Sequence, residues 1–288
     1  MPELPEVESV RRGLRMALTG ARLIRVRLAR ADLRFPFPDG FAQRLEGKRI
    51  LGLERRAKYL LAPLDSGETW ITHLGMTGRF CLKTRSDGPQ LGEYYYEAAP
   101  DPKHTHVEME TDGGAALAYN DARRFGFMGL LDSLALPSHP WFASLGPEPL
   151  GREFHADYLR NALASRAQAI KPALLDQRLV AGLGNIYVCE ALHQARISPM
   201  RPARDIPLSA LRALARAIRA VLLAAIAKGG STLRDYAQAD GSAGAFQDEF
   251  RVYDRAGQAC LRRLCPGQIA RTVQAGRSSF FCPCCQEG

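Results

Sequence analysis

Apolar residues follow two different spacings in the two halves of the chain. Near the start, Val7, Val10, Leu14 and Leu18 form one stripe at helical spacing, and Gly20 ends the predicted helix. Short runs of alternating apolar and polar residues follow, with turn residues between them. Eight such runs predict a β-sandwich with the first helix packed on it. The predicted strands are Ile24–Leu28, Lys48–Leu53, Tyr59–Leu64, Thr69–Leu74, Arg79–Leu82, Val107–Thr111, Ala115–Tyr119 and Phe127–Leu131.

The pattern changes after residue 132. Prolines and glycines crowd residues 133–151, which we interpret as a linker. Beyond it, helical spacing predicts a long amphipathic helix over 208–226, ended by Gly229 and Gly230, and two shorter helices over 172–179 and 186–195. The sequence therefore predicts an α+β protein of two domains. The boundaries are 1–132 for the sheet domain, 133–151 for the linker, 152–250 for the helical domain and 251–288 for a cysteine-rich tail.

Composition narrows the class of protein. The 288 residues carry a formal charge of +9 with a pI near 9.4, which favours a polyanionic partner. No run approaches the ~20 apolar residues of a membrane span, and no basic-then-apolar signal peptide precedes the first helix. We therefore expect a cytoplasmic protein, associated with the nucleoid through its nucleic acid. A monomer is expected, because no apolar surface helix is left unexplained.

Five of the seven cysteines lie in the last 29 residues. Cys260-x4-Cys265 and Cys282-x2-Cys285 form two pairs, the pattern of a closed tetrahedral zinc site. Cys284 is an alternative to Cys285, but the x2 spacing is the commoner one. The tail contains six arginines against one aspartate and one glutamate, so a DNA-binding finger with one structural zinc is favoured over a purely structural metal knot.

The first residues carry candidate chemistry. Pro2 is small enough to favour removal of Met1, which would leave a secondary amine at the N-terminus. An α-amino group has a pKa of ~8, so a substantial fraction is neutral and nucleophilic at neutral pH. Glu3 is adjacent, and Glu6 lies one helical turn further on. The alternative is that this acidic turn only complements the helix dipole.

Two glycines precede a predicted helix in Gly182-Leu-Gly184-Asn185. Such a turn exposes backbone N–H groups that bind an anion, although Asn185 can equally be an ordinary N-cap. Lys171 upstream and Arg277 in the tail favour a phosphate clamp.

Three further clusters allow two interpretations each. The basic run Arg55–Tyr59 is either a solvated strand edge or part of a site. Met76 and Phe125 lie beside strand ends, where they can fill core or wedge into a base stack. His104 and His106 could be a metal pair, but without an acidic or thiol partner nearby they fit phosphate contacts better.

Seven motifs, in order over essentially the whole chain, resemble those of the formamidopyrimidine-DNA glycosylases, bifunctional enzymes of base-excision repair. The motifs are MPELPEVE at the start, RRAKYLL from Arg55, HLGMTG from His73, RRFG from Arg123, LGPEPL from Leu145, GLGNIY from Gly182 and the four-cysteine tail. The resemblance implies an N-terminal β-sandwich with flanking helices, then a helix–two-turn–helix domain with a zinc finger. It implies double-stranded DNA with damaged bases as the partner, and no small-molecule cofactor.

The resemblance also implies roles for individual residues. Pro2 corresponds to the nucleophile that attacks C1′ and forms a Schiff base, Glu3 to the acid that assists base departure, and Glu6 to a supporting carboxylate. Lys58 matches a proton donor in β-elimination and Arg277 an arginine linked to δ-elimination. The implied DNA-binding residues are His104, Arg123, Arg166, Lys171, Asn185, Met76 and Phe125, of which Met76, Arg123 and Phe125 fill the hole left by a flipped base. Residues 232–246 correspond to a loop that caps the extruded purine.

This chain departs from the family pattern at three places. The first cysteine pair is two residues wider than usual, which leaves the finger geometry open. Ala57 stands where glycine is common and Ala122 where proline is common, and neither is expected to touch the chemistry. Endonuclease VIII-type enzymes, which act on oxidised pyrimidines, are an alternative. Leu4 and the separate Arg123-Arg124-Phe125 favour the purine-lesion enzyme instead. A non-catalytic lesion-binding protein is a second alternative, but it would have no use for a free N-terminal amine.

Overall fold

The computed structural model describes residues 2–83, 101–232 and 244–286. The chain forms two compact units, Met1–Ala143 with Lys228–Ala245, and Ser144–Ala227 with Phe246–Gly288. The segment 228–245 thus belongs to the first unit, although it follows the helices of the second in sequence. None of the helices in the described ranges is long and apolar enough to cross a membrane.

The first unit is a sandwich of two four-stranded antiparallel sheets, as the alternating pattern predicts. Helix α1 (Leu4–Leu18) buries its apolar stripe, which runs from Val7 to Leu18, in the core of the sandwich. A short helix α2 (Phe41–Leu45) adds Phe41 to the same core. The strand orders are β1-β6-β7-β5 and β2-β3-β4-β8. The strands are β1 (Leu23–Leu28), β2 (Glu54–Arg56), β3 (Tyr59–Pro63), β4 (Glu68–His73), β5 (Arg79–Lys83), β6 (Thr105–Thr111), β7 (Ala116–Asn120) and β8 (Phe127–Asp132).

One predicted strand is wrong. Lys48–Leu53 forms only isolated bridges, because Arg49 pairs with Arg22 while the next residue, Ile50, pairs with Leu64. The backbone therefore changes partners within two residues and no continuous ladder forms. The strand of this region is β2, whose three residues all pair with β3, from Glu54 with Leu61 to Arg56 with Tyr59.

The second unit is helical with a β-hairpin near its end. Its helices are α3 (Ala156–Leu163), α4 (Ile170–Leu175), α5 (Asn185–Gln194) and α6 (Leu208–Ala227), and the hairpin pairs β9 (Ala270–Gln274) with β10 (Arg277–Phe281). The sequence pattern did not predict α3. The helix expected over 172–179 ends at Leu175 instead, because the Asp176 side chain accepts a hydrogen bond from the backbone N–H of Arg178 and holds a turn there.

Candidate active site and nucleic-acid interface

The N-terminal turn forms a buried corner. Pro2 is buried, and Glu3 and Glu6 are 3% and 2% exposed. Glu3 is the N-cap of α1 and makes a capping box with Glu6, whose Oε2 accepts the backbone N–H of Glu3 at 2.8 Å. The other oxygen, Oε1, accepts the backbone N–H of Ser231 at 2.8 Å. The Glu6 carboxylate is therefore held by two backbone donors, an arrangement suited to fixing the corner rather than to carrying a proton.

Lys58 lies in the tight turn between β2 and β3 and is 8% exposed. The preceding Ala57 has φ = 53°, in the left-handed region that favours glycine. Alanine at this position therefore strains the turn that carries Lys58. His73 lies within the electrostatic influence of Lys58. Burial, together with the positive charges of Lys58 and Arg34, lowers the pKa of His73 to about 4. His73 is thus neutral, and its Nδ1 accepts the N–H of Gly75 at 3.0 Å.

Glu8 connects α1 to the Lys58 turn, and nothing in the sequence pattern singles it out. Its carboxylate accepts hydrogen bonds from Arg11 at 2.8 Å and Arg12 at 2.9 Å, and it pairs with Arg55 at 3.3 Å. Arg55 in turn donates to the carbonyl of Ala57 at 2.9 Å. Although burial alone would raise the pKa of Glu8, these arginines lower it to about 2. A charged Glu8 therefore braces the turn that carries Lys58.

Two turns, residues 75–78 and 121–126, together form what we call the wedge loops, and they carry the predicted trio Met76, Arg123 and Phe125. Phe125 is 44% exposed, and the Arg123 guanidinium lies 4.7 Å from the centre of its ring. Met76 is partly exposed on the neighbouring turn. An exposed ring beside a cation is suited to stacking on a nucleobase.

Asp121, which is fully buried, holds the wedge loops together. Its carboxylate accepts the N–H of Gly126 at 2.8 Å and the hydroxyl of Thr77, and the Thr77 hydroxyl oxygen accepts the N–H of Arg123 at 3.0 Å. Gly75 has φ = +64°, and a Cβ there would lie 2.2 Å from the carbonyl carbon of Phe125. Close backbone approach thus fixes one turn against the other.

The two histidines of the predicted phosphate cluster have different surroundings. His104 ends a short 3-10 helix (Pro102–His104) and is partly exposed, and its carbonyl accepts the N–H of Asp121 at 2.9 Å. His106 is 5% exposed, with Nε2 2.9 Å from the Asp121 carbonyl. Within the described ranges, neither belongs to a group of side chains that could hold a metal ion. Only His104 is placed for contact with a ligand.

In the second unit, the predicted phosphate residues converge on the hairpin. Lys171 is fully buried, and its Nζ donates to the Ser278 carbonyl at 2.9 Å; the side-chain amide of Asn185 donates to the same oxygen at 2.9 Å. Arg277 precedes Ser278 and is exposed. The N-cap of α5 is Gly184, so the interpretation of Asn185 as an ordinary N-cap is wrong. Asn185 begins the helix with its side chain turned to the hairpin.

Arg166 makes a different set of contacts. Its Nη1 lies 3.1 Å from Asp176 Oδ2, and its Nε donates to the Ala162 carbonyl at 3.2 Å. Asp176 also binds Arg178, and these hydrogen bonds, that from Arg178 first, lower the pKa of Asp176 to about 2. Arg166 is thus held in place by a carboxylate that stays charged.

Four thiols meet in the tail. The Sγ atoms of Cys260, Cys265, Cys282 and Cys285 all lie within 4.8 Å of one another, whereas Cys284 is exposed and outside this group. The Sγ atoms of Cys260 and Cys285 are 3.8 Å apart, and those of Cys265 and Cys282 are 3.6 Å apart. In a tetrahedron with Zn–S bonds of about 2.3 Å, sulfur atoms are about 3.8 Å apart. The four side chains therefore fit a tetrahedral metal site, and Cys285 is the fourth member as predicted.

Helix α5 anchors this tail, through residues that sequence reasoning missed. Glu190, 4% exposed, accepts the backbone N–H groups of Arg251, Val252 and Tyr253 at 2.8–3.2 Å. Burial raises the pKa of Glu190, and these hydrogen bonds oppose that rise. Cys189, on the same helix, joins the hydrophobic core of the tail. A lone glutamate between apolar helix positions was the available signal.

The four-cysteine cluster is also connected to the helical part of the unit by hydrogen bonds of neighbouring residues. His193 Nε2 lies 3.5 Å from Cys260 Sγ, and the His193 carbonyl accepts a hydrogen bond from Arg262 at 2.6 Å. The Gln286 side chain accepts the N–H of Cys282 at 2.8 Å and donates to the Ile197 carbonyl at 2.9 Å. The metal site thus shares its hydrogen bonds with the helical part of the unit.

Most of the loop expected over 232–246, residues 233–243, lies outside the described residues.

Comparisons with known proteins agree with this geometry. The family model of the formamidopyrimidine-DNA glycosylase N-terminal domain matches residues 1–128, and that of the formamidopyrimidine-DNA glycosylase H2TH domain matches residues 145–237. The formamidopyrimidine-DNA glycosylase of Caulobacter vibrioides is 58% identical over 286 residues, covering 99% of this chain and 100% of its own; that of Methylorubrum extorquens is 55% identical over 295 residues, covering 99% and 98%.

Solved structures are similar over the full length. The MutM (FPG) protein of Thermus thermophilus superimposes with a TM-score of 0.84 at 41% identity, and an FPG mutant of Lactococcus lactis in complex with a Fapy-dG containing DNA does so with a TM-score of 0.87 at 35% identity. Both comparisons cover 100% of each chain. The fold predicted from the sequence is confirmed, and the chain belongs to the formamidopyrimidine-DNA glycosylase family.

Proposed function

We propose that this protein removes oxidised purines, such as 8-oxoguanine and formamidopyrimidines, from duplex DNA and then cleaves the strand at the resulting abasic site. The observation that carries the proposal is the buried N-terminal corner, in which Pro2 adjoins Glu3 and the Glu6 carboxylate is held by two backbone donors. Similar solved proteins are described in complex with DNA that contains Fapy-dG or carbocyclic 8-oxo-G.

The chemistry begins once Met1 is removed. The neutral secondary amine of Pro2 attacks C1′ of the damaged nucleotide, and the bond to the base breaks as Glu3 assists departure of the base and opening of the sugar ring. The product is a Schiff base, a cationic iminium that makes the C2′ proton acidic. Loss of that proton expels the 3′ phosphate, and a second elimination expels the 5′ phosphate. Water then releases the sugar fragment from Pro2.

Lys58 and Arg277 serve these eliminations. Lys58 is held in the strained turn braced by Glu8, beside the neutral His73, and we assign it proton donation in β-elimination. Arg277 is exposed at the start of β10, and we assign it phosphate binding and δ-elimination.

The wedge loops help to expose C1′ of the damaged nucleotide to the amine. An atom inside a base stack is out of reach, so the nucleotide must be flipped out of the duplex at a cost of a few kcal/mol. Phe125 and Met76 offset part of this cost by replacing the lost stacking, and Arg123 adds charge next to the ring. We assign His104, Arg166, Lys171 and Asn185 to binding of the DNA backbone. Lys171 and Asn185 also donate to the Ser278 carbonyl, next to Arg277.

The four thiols would hold one zinc ion. All four positions of a tetrahedral site are then occupied by protein sulfur, which leaves no open position for substrate. The ion would supply folding free energy to a tail that has only a small core of its own.

Borohydride trapping tests the proposal directly. A duplex with one 8-oxoguanine opposite cytosine is incubated with the native protein and with Pro2→Gly, after the mass of each N-terminus confirms that Met1 is absent. We expect a covalent adduct with the native protein that is lost or sharply reduced in the variant. No adduct and no strand cleavage by a zinc-loaded native protein would refute the oxidised-purine assignment, and an adduct only with oxidised pyrimidines would reassign the substrate.

A further inference from the structure

We propose that Gly230 and Ser231 are positioning residues of the catalytic corner, which hold the Glu6 carboxylate from a segment distant in sequence. The inference rests on the proposed function for its catalytic consequence, but the lock itself is a physical contact within the first unit. Ser231 is 4% exposed, and its N–H donates to Glu6 Oε1 at 2.8 Å across 225 residues of sequence.

Gly230 makes this approach possible. Its φ is +86°, and a Cβ at this position would lie 2.8 Å from Glu6 Oε1 and 3.0 Å from Glu6 Cγ. A carboxylate on an exposed side chain would rotate away from such a contact. Glu6 is 2% exposed, and moving it would break the hydrogen bonds to Ser231 and Glu3. A side chain at residue 230 therefore forces the corner to shift.

The segment around Gly230 is itself fixed. Ser231 pairs with Ala245, whose N–H donates to the Lys228 carbonyl at 3.0 Å. A Cβ on Gly244 would lie 2.3 Å from the Gly230 carbonyl oxygen, so the two backbones are in contact. The N–H of Gly244 also donates to the Thr232 hydroxyl at 2.8 Å. These contacts between residues 230–232 and 244–245 fix the direction in which the Ser231 N–H points.

The consequence is a role for Glu6 that needs no proton transfer. One oxygen holds the N–H of Glu3, the residue next to Pro2, and the other is held by Ser231. A displacement at Gly230 is thereby passed to the residue beside the nucleophile. Misplacement of reacting groups by about 1 Å can cost on the order of 10² in rate.

The chain offers a matched control for the strain of a left-handed alanine. Gly67, in the turn between β3 and β4, has φ = +84°, and a Cβ there meets nothing within 4 Å. Because the two φ angles are nearly equal, Gly67→Ala and Gly230→Ala carry a similar backbone penalty, and only the second collides with Glu6. Glu6→Asp supplies the complementary change, because a carboxylate shorter by one methylene vacates the space that the new Cβ would fill.

The test combines stability with single-turnover rate. Both tryptophans, Trp70 and Trp141, lie in the first unit, so their fluorescence in urea reports its unfolding. We expect Gly230→Ala to lower the urea midpoint more than Gly67→Ala does, and the two to cost the same when Glu6→Asp is already present. Equal costs in the native background would refute the lock.

The rate of base excision, and of borohydride trapping on an abasic duplex, gives the catalytic readout. We expect both rates to fall at least about tenfold in Gly230→Ala and to stay within about twofold in Gly67→Ala, with substrate affinity little changed. In the Glu6→Asp background, Gly230→Ala should have no further effect on either rate. An intact lock with unchanged rates would refute the positioning role, whereas a native protein that neither excises nor traps would refute the proposed function instead.

Discussion

Replacement of Glu8 by glutamine should remove a large, pH-dependent part of the stability of the first unit. The carboxylate is 11% exposed and is bound by Arg11, Arg12 and Arg55. Its pKa falls from 4.5 to about 2. A shift of that size corresponds to about 3 kcal/mol of stabilisation at neutral pH, at 1.36 kcal/mol per pKa unit.

The sign follows from proton linkage. Because the folded-state pKa lies below the unfolded value, this stabilisation is fully present above pH 4.5 and is lost as the pH falls towards 2. Linkage between those two values removes roughly 2 kcal/mol between pH 6 and pH 3. The free-energy difference between native protein and Glu8→Gln should therefore shrink from about 3 to about 1 kcal/mol over that range.

Urea unfolding followed by tryptophan fluorescence measures this difference at each pH. Glu108→Gln is the matched control, because Glu108 pairs with Arg27 at 2.7 Å but is 48% exposed. An exposed pair contributes about 0–1 kcal/mol, so the control should change little with pH. A Glu8→Gln effect that stays constant from pH 6 to pH 3, or that matches Glu108→Gln, would refute the assignment of this stability to the Glu8 carboxylate.

Three further predictions concern the turns and the thiol site. Cys285→Ser should abolish binding of the proposed zinc ion while Cys284→Ser keeps it, as measured by metal release to a chromogenic chelator; the opposite result would reassign the fourth ligand. Ala57→Gly should raise the free energy of unfolding by about 1 kcal/mol, since it relieves a left-handed alanine, and a loss of stability would contradict this. Gly75→Ala should weaken binding to an abasic duplex at least about tenfold by pushing the wedge loops apart, whereas Gly67→Ala should not; equal affinities, measured by fluorescence anisotropy, would refute the role of that contact.

Features that depend on local spacing could be predicted from the sequence. The stripe from Val7 to Leu18 predicted α1, and alternation predicted seven of the eight strands of the sandwich. The cysteine spacing selected Cys285 over Cys284, because two intervening residues allow both thiolates to face one ion.

Features that depend on distant partners could not be predicted. Nothing near Glu6 indicates that Ser231 completes its hydrogen bonds, and nothing near Asp121 indicates that Thr77 and Gly126 converge on it. Nothing near Glu8 in the sequence indicates that Arg55, 47 residues later, pairs with it. In each case the polar group is buried, so its partner is fixed by tertiary packing rather than by periodicity.

The stretch between Cys260 and Cys265 is two residues longer than is usual in the family, yet the four sulfur atoms still fit one tetrahedral site. Leu264, in the widened stretch, has φ = 61° and is 92% exposed, so the extra backbone turns outward into solvent. The four sulfur atoms meanwhile keep a spacing that fits a tetrahedral site, and the hairpin bearing Arg277 has five paired positions. Leu264 is therefore a position where the side chain can be exchanged, or a fluorophore attached, without disturbing the four sulfur atoms.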